Sequence, residues 1–319
     1  MKAFLGAILR TIVLPKQISA FERDYLRVNH PVVVTDALAG WDLAGRWTPG
    51  YLRQEFGDER VQVYNNYFDL QSMRPLGEYL DEYFGKDTND ATELPYVRWY
   101  TKLRDVRFLW ADKAFKRFAG NWTPPYFLPT SDYVLPFSPG RADPRHVHFP
   151  AKGLFISPKG GRTGLHVDPW GSDAVLCQLF GDKHWTMYHP DEARYLRNDG
   201  VVVDPDRPDH DRFPEFRKAR VTYDFVLRPG ETVLVPHGWY HAVTSLTDSI
   251  SLTWNFVHRS TSAALLAWLR QPMSEIDQSV LRFFFGPVVG DDVTPAAIEA
   301  LLARAPRQVE PHAAAIADE

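Results

Sequence analysis

Pro229-Gly230-Glu231-Thr232-Val233-Leu234-Val235-Pro236-His237-Gly238-Trp239-Tyr240-His241 sets a four-residue aliphatic and β-branched run between two corners. Pro229-Gly230 opens the run and His237-Gly238 closes it. A strand this short, stopped at both ends by turn residues, belongs to a sandwich or barrel. The same rhythm extends in both directions. Short apolar runs recur at Gly153–Ser157, Ala174–Phe180, Lys183–Tyr188, Val221–Leu227, His241–Ser245 and Ser249–Val257, with Gly160-Gly161 and Gly181-Asp182 as further corners. Many short strands at even spacing bury their apolar faces best as two packed sheets.

The expected fold is therefore mainly β, a cupin-type double-stranded β-helix or jelly roll, with N-terminal α/β elements and a C-terminal helical segment. Three segments are expected: 1–150, a mixed α/β region packed on the barrel; 151–258, the jelly-roll core; and 259–319, helices. In the first, Ser19–Val28 has the pattern of a capped helix, with Ser19 as N-cap and Glu22 three residues on. Pro31–Thr35, Val61–Tyr64 and Tyr96–Tyr100 have strand character, and Trp47–Phe56 and Leu76–Phe84 have helix character. Residues 111–150, rich in proline and aromatics, are expected to be irregular around a short helix, Asp112–Phe118. In the third, Ser262–Leu269, Ser274–Phe285 and Pro295–Arg304 carry apolar residues at helical spacing and offer a homodimer interface.

Composition narrows the function classes. Hydrophobic residues make up 45% of 319, enough for a substantial core, and the net charge of -4 gives no general attraction to nucleic acid or an anionic membrane. Cys177 is the one cysteine, which rules out an internal disulfide framework and suits a reducing compartment. It lies in an apolar run and is expected to be a small buried hydrophobe. The stretch Ala3–Leu9 is short and Arg10 interrupts it, so no export signal is expected. No apolar run approaches the ~20 residues needed to span a bilayer. The expected location is cytoplasmic.

The chemistry centres on Thr163-Gly164-Leu165-His166-Val167-Asp168-Pro169. On a strand, alternate side chains share a face, so His166 and Asp168 point the same way. An imidazole nitrogen and a carboxylate oxygen on one face lack only a second imidazole to make a two-histidine, one-carboxylate facial triad, which leaves positions open on the metal. His241, just after the corner at His237-Gly238, can be aimed at the mouth of a barrel. His237 is the alternative. An H-x-D pair alone is common by chance; the set of H-x-D, glycine turn, strand-borne lysine and P-x-G-W-x-H is far more specific.

These motifs resemble the Jumonji-C group of 2-oxoglutarate oxygenases, particularly the cupin-like branch that hydroxylates protein side chains. The resemblance runs from Phe21 to Phe256 and rests on Thr163–Pro169, Gly181–Trp185 (GDKHW), Pro229–His241 and Ser251–Phe256 (SLTWNF). It implies that His166, Asp168 and His241 hold Fe(II), and that Lys183 anchors the distal carboxylate of 2-oxoglutarate. A buried ammonium needs such an anion to offset its desolvation. The resemblance further implies that Thr163, Thr253 and Asn255 hydrogen-bond the cosubstrate, with Tyr96 or Tyr100 assisting. It implies hydroxylation of a protein, peptide or small-molecule substrate by O₂, with release of succinate and CO₂. Demethylation through hydroxylation of an N-methyl group fits the same motif. Leu176 departs from the pattern, since some relatives carry asparagine there.

The remaining histidines form no such constellation. His146 and His148 have strand spacing but no paired carboxylate; His184, His189, His210 and His258 stand alone. Asn198–Phe213 (NDGVVVDPDRPDHDRF) is either a mobile, solvated insert or an acidic lip, carrying Asp204, Asp206 and Asp209, that attracts a basic substrate. Two further readings stay open: a cupin-fold metal-binding module without turnover, and a cupin enzyme that does not use 2-oxoglutarate.

Overall fold

Strands form where the sequence alternates or runs apolar. They are β1 (Thr11–Ile12), β2 (Val32–Val34), β3 (Arg60–Tyr64), β4 (Leu70–Pro75), β5 (Tyr96–Tyr100), β6 (Tyr133–Leu135), β7 (Gly153–Ser157) and β8 (Arg162–His166). They continue with β9 (Asp173–Phe180), β10 (Lys183–Tyr188), β11 (Arg197–Asn198), β12 (Val201–Val202), β13 (Tyr223–Leu227), β14 (Thr232–Val235), β15 (Tyr240–Ser245) and β16 (Ser249–His258). This is a computed structural model, and it describes residues 11–12, 18–86, 93–101, 109–129, 131–135, 152–290 and 293–304. Ala3–Leu9, His146, His148 and the acidic tail His312–Glu319 lie outside the described residues.

Two sheets face each other. The larger runs β1-β2-β14-β9-β16-β7-β5-β3-β4, with β6 beside β16, and the smaller runs β13-β10-β15-β8. The jelly roll expected from the sequence is this pair of sheets. The N-terminal strands do more than pack on it. β2 pairs with β14 and β5 pairs with β7, so they extend the larger sheet at both edges.

Burial explains the two kinds of strand sequence. In β9, Val175, Cys177 and Leu179 face a core built with the N-terminal helices, while Ala174 and Leu176 face the smaller sheet. Both faces are covered, so the strand reads as a continuous apolar run. In β10, Lys183, Trp185 and Met187 are buried and His184 and Thr186 are half-buried, which is ordinary alternation. The Cys177 thiol accepts a hydrogen bond from Thr232 Oγ1 at 3.3 Å, and burial pushes its pKa up to about 12, so it behaves as a core hydrophobe. Helices Ser262–Trp268, Glu275–Val289 and Pro295–Arg304 build their own core against Trp170 and Val257. Among the described residues, no helix is long and apolar enough to cross a membrane.

Four local expectations are corrected. Ser19 sits inside the first helical turn, Ile18–Phe21, and Glu22–Leu26 is a π-turn closed by Arg27 N–H on Glu22 O at 2.9 Å. Phe21 and Leu26, both fully buried, are five residues apart, a spacing that the wider turn brings onto one face. Within 111–150, Tyr133–Leu135 is a strand because its residues pair with Val257 and His258. The Ser274 helix runs on through Pro287 to Val289, where Gly290 caps it at φ 82°. The Asn198–Phe213 segment carries a small hairpin of its own, β11–β12, and Asn198 Nδ2 donates to Arg212 O at 2.9 Å.

Candidate metal centre

His166 is the last residue of β8 and His241 the second of β15, and the two are Cα partners across the antiparallel ladder. A bulge follows at once, between His241 and Val243, as is common beside active sites. Asp168 lies two residues past the end of β8. Its backbone is still extended (φ -62°, ψ 145°), so it keeps the alternation and faces the same way as His166. The ligand atoms of His166, Asp168 and His241 all fall within 4.8 Å of one another, the one such group among the described residues.

The second ring nitrogen of each histidine is already committed. His166 Nδ1 donates to Gly164 O at 2.8 Å and His241 Nδ1 donates to Trp239 O at 3.1 Å. A carbonyl only accepts, so both rings are fixed with Nε2 as the free lone pair, which is how metal-bound histidines are held. Phe68 meets His166 edge-on at 4.9 Å, and Trp185 stacks on His241 at 5.7 Å. Burial, then the neighbouring His241, pushes the His166 pKa well below its ordinary value and keeps the ring neutral. Two imidazole nitrogens and one carboxylate on one side of a cavity suit a divalent transition metal with open positions on the other.

The cavity, of about 80 Å³, is lined by the triad together with Thr163, Lys183, Thr253 and Asn255. Lys183 opens β10, is 5% exposed and has no hydrogen-bond or ion-pair partner among the described residues. Burial lowers its pKa to about 7. An unpartnered ammonium inside a cavity is costly unless an anion is to join it. Asn255 Nδ2 donates to Ser172 Oγ at 3.2 Å. Leu176 also lines the cavity and makes that side of it apolar. Tyr96 and Tyr100 share a face of β5, but only Tyr100 lines the cavity; the Tyr96 hydroxyl is buried with no hydrogen-bond partner among the described residues.

The other histidines stand apart. His237 Nδ1 bonds Asp173 at 2.9 Å, and its backbone N–H donates to the same carboxylate oxygen at 3.0 Å. Asp173, fully buried, also accepts from Thr261 Oγ1 at 2.8 Å. His237 is thus spent on fixing the corner that aims His241. His184 pairs with exposed Asp224, and His258 Nδ1 lies 2.7 Å from Ser260 Oγ. In the acidic segment, Asp204 and Asp206 both pair with Arg162, Tyr67 donates to Asp204 at 3.2 Å, and Asp209 accepts from two backbone N–H groups. Those carboxylates fasten the segment beside β8, which leaves less of their charge for a visiting cation.

Sequence reading missed two residues that shape the cavity, Phe68 and Arg98. Phe68 sits in the β3–β4 turn at φ 70°, a rare conformation for a bulky side chain, and no sequence signal marks it. Arg98 was legible in principle: β5 alternates, so Arg98 must share a face with Tyr96 and Tyr100.

Comparison with known proteins agrees with this geometry. A family model described as a cupin-like domain matches residues 18–262, and the chain belongs to that family. It is 26% identical over 288 residues to the 2-oxoglutarate and iron-dependent oxygenase JMJD4 of Gallus gallus, covering 82% of this chain and 63% of that protein. It is 26% identical over 258 residues to the arginine-specific demethylase JMJ22 of Arabidopsis thaliana, covering 76% and 45%. With the bifunctional arginine demethylase and lysyl-hydroxylase psr-1 of Caenorhabditis elegans it shares 22% over 250 residues, covering 75% and 58%. The chain thus spans less than two thirds of the length of each of these three relatives.

Proposed function

We propose that this protein is an Fe(II)- and 2-oxoglutarate-dependent oxygenase that hydroxylates a protein or peptide side chain or a small molecule. The observation that carries the reading is one cavity holding both the His166–Asp168–His241 donor set and the unpartnered ammonium of Lys183. A metal between the triad and a dicarboxylate reaching to Lys183 would satisfy each of these groups. The names of the relatives support the same chemistry.

His166, Asp168 and His241 would hold the iron, and Lys183 the distal carboxylate, with Thr163, Thr253, Asn255 and a β5 tyrosine completing the cosubstrate pocket. Iron and cosubstrate, once bound, supply O₂ activation, with 2-oxoglutarate oxidised to succinate and CO₂ and one oxygen atom placed in a substrate C–H bond. The chain's own part is positioning and exclusion of water. The committed Nδ1 groups hold the imidazoles in register, and Phe68, Trp185 and Leu176 keep the cavity apolar around the metal. Division of the chain into 1–150, 151–258 and 259–319 belongs to this reading, with the core segment supplying the metal ligands. So does a homodimer through the C-terminal helices, where Ile276 and Phe283, seven residues apart, are both exposed. A reducing location such as the cytoplasm suits the lone thiol.

Anaerobic titration with Fe(II) and then 2-oxoglutarate tests the proposal. A visible charge-transfer band in the wild type, absent in His241→Ala, is the expected result. Folded, iron-loaded protein that gives no band would overturn the cosubstrate assignment.

A further inference from the structure

Arg98 is the one strongly basic group in the cavity besides Lys183. It projects from β5 of the larger sheet, whereas Lys183 projects from β10 of the smaller one. Aromatic rings surround its guanidinium: Phe68 at 4.3 Å, Tyr100 at 5.2 Å, Phe155 at 5.3 Å and Tyr64 at 5.6 Å. Among the described residues its Nε, sealed from water, has no hydrogen-bond partner and no carboxylate comes within ion-pair distance, although the Asp168 charge acts on it from farther off. Arginine stays charged at any working pH. The rings hold the fork in place but do not neutralise it.

Charge accounting identifies what is missing. On the reading proposed above, a divalent metal, a cosubstrate dianion, the Asp168 carboxylate and the Lys183 ammonium balance one another. Arg98 is left over, as a fixed positive charge beside the Phe68 ring that covers His166. A half-buried guanidinium aimed into the cavity, with no ion-pair partner among the described residues, is a place for an opposite charge to bind.

We propose that Arg98 is a substrate-specificity residue: it receives a carboxylate of the substrate and so places a carbon near that carboxylate at the metal. The inference rests on the proposed oxygenase reading. It also sets an expectation about charge, because a fixed guanidinium in the cavity repels a cationic side chain. A carboxylate accepts two parallel N–H bonds from a guanidinium, which gives orientation as well as affinity.

The test uses the protein loaded with Zn(II) and 2-oxoglutarate, which binds without turning over. Binding of five probes is measured by ligand-observed NMR. N-acetyl-L-aspartate N-methylamide and N-acetyl-L-glutamate N-methylamide carry a side-chain carboxylate as a protein would. L-norleucine carries a free α-carboxylate as a small molecule would. N-acetyl-L-glutamine N-methylamide and N-acetyl-L-lysine N-methylamide are the neutral and cationic controls. At least one carboxylate probe is expected to bind about 10- to 100-fold tighter than both controls, the range of a charge-assisted pair. Tight binding of a blocked probe points to a protein side chain, and of norleucine to a small molecule.

Arg98→Met should abolish the preference and leave 2-oxoglutarate affinity unchanged; Arg98→Lys, which keeps the charge if the first variant fails to fold, should retain part of it. Equal binding of all probes, tighter binding of the lysine probe, or a preference that survives Arg98→Met would overturn the proposal. A loss of 2-oxoglutarate affinity in Arg98→Met would also overturn it, by making Arg98 a cosubstrate residue. Failure of the wild type to bind 2-oxoglutarate at all would instead remove the oxygenase reading and the subsite with it.

Discussion

His166 and His241 face each other across the β8–β15 ladder with ring centroids 4.1 Å apart. Their separation is set by backbone hydrogen bonding, so the donor pair exists before any metal arrives. His241→Ala should lower Fe(II) or Zn(II) affinity by more than about 100-fold, the upper end of what losing even an outer partner costs. The fold should survive, and metal content after dialysis gives the result. Protons compete with metal only for an imidazole that can take them. Because burial depresses the His166 pKa, His166 should not lose its share of the metal as pH falls to 6.

Lys183 gives a pH prediction of definite sign. Burial brings its pKa down to about 7, so the ammonium is progressively lost above that pH. A dicarboxylate binds the protonated form. Affinity for 2-oxoglutarate should therefore fall as pH rises from 7 to 9, by up to about tenfold per unit. In Lys183→Met the affinity should be weak and the slope absent. Calorimetric titration at three pH values measures both.

Asp173 touches neither metal ligand, yet its carboxylate holds His237 and Thr261 at the corner before His241. Asp173→Ala leaves buried Thr261 and half-buried His237 without that acceptor. The expected cost is about 2–4 kcal/mol of stability, read by urea unfolding. Metal affinity should fall with it, since the corner that aims His241 loosens.

Gly181 turns the chain between β9 and β10 at φ 68°, and a Cβ there would lie 1.9 Å from Asp248 O. The obstacle is backbone, which cannot swing away. Gly181→Ala should destabilise the protein by about 1–3 kcal/mol, measured as a fall in Tm. It should also weaken 2-oxoglutarate binding, because Lys183 is two residues on.

Where a segment's own residues decide its structure, the sequence was readable. Thr48 caps the helix Pro49–Phe56 by accepting from Tyr51 N–H, as Thr-Pro before an apolar period signals. Strands β9, β10, β14, β15 and β16 fall within two residues of their expected bounds, because buried apolar runs between glycine corners have few alternatives. Leu70–Pro75 escaped notice for the opposite reason. It is a largely exposed edge strand whose Gln71, Ser72 and Arg74 carry no apolar alternation, and it exists because β3 offers it hydrogen bonds. The π-turn at Glu22–Leu26 likewise answers to a core that only the folded chain contains.

The candidate site divides in the same way. His166, Asp168 and His241 come from strand spacing and a corner, so local sequence contains them. Phe68 and Arg98 reach the cavity from β3–β5, far along the chain, and their place follows from β5 pairing with β7. Tyr100, offered as the alternative to Tyr96, is the tyrosine that lines the cavity. Alternation puts both on one face but does not say how far along the strand the cavity ends.

The sheet shared between the N-terminal strands and the jelly roll makes the unit of folding larger than the unit of metal ligation. Every proposed metal ligand lies between residues 166 and 241, yet a fragment starting at residue 151 would bare the edges of β7 and β14. It would also uncover the outer face of β9 and β16, where Val175, Leu252 and Trp254 are fully buried in the whole chain. Such a fragment carries all three ligands and most of the cavity wall but lacks Phe68, Arg98 and Tyr100, and its open edges are templates for aggregation. Autonomy here stops at the whole protein.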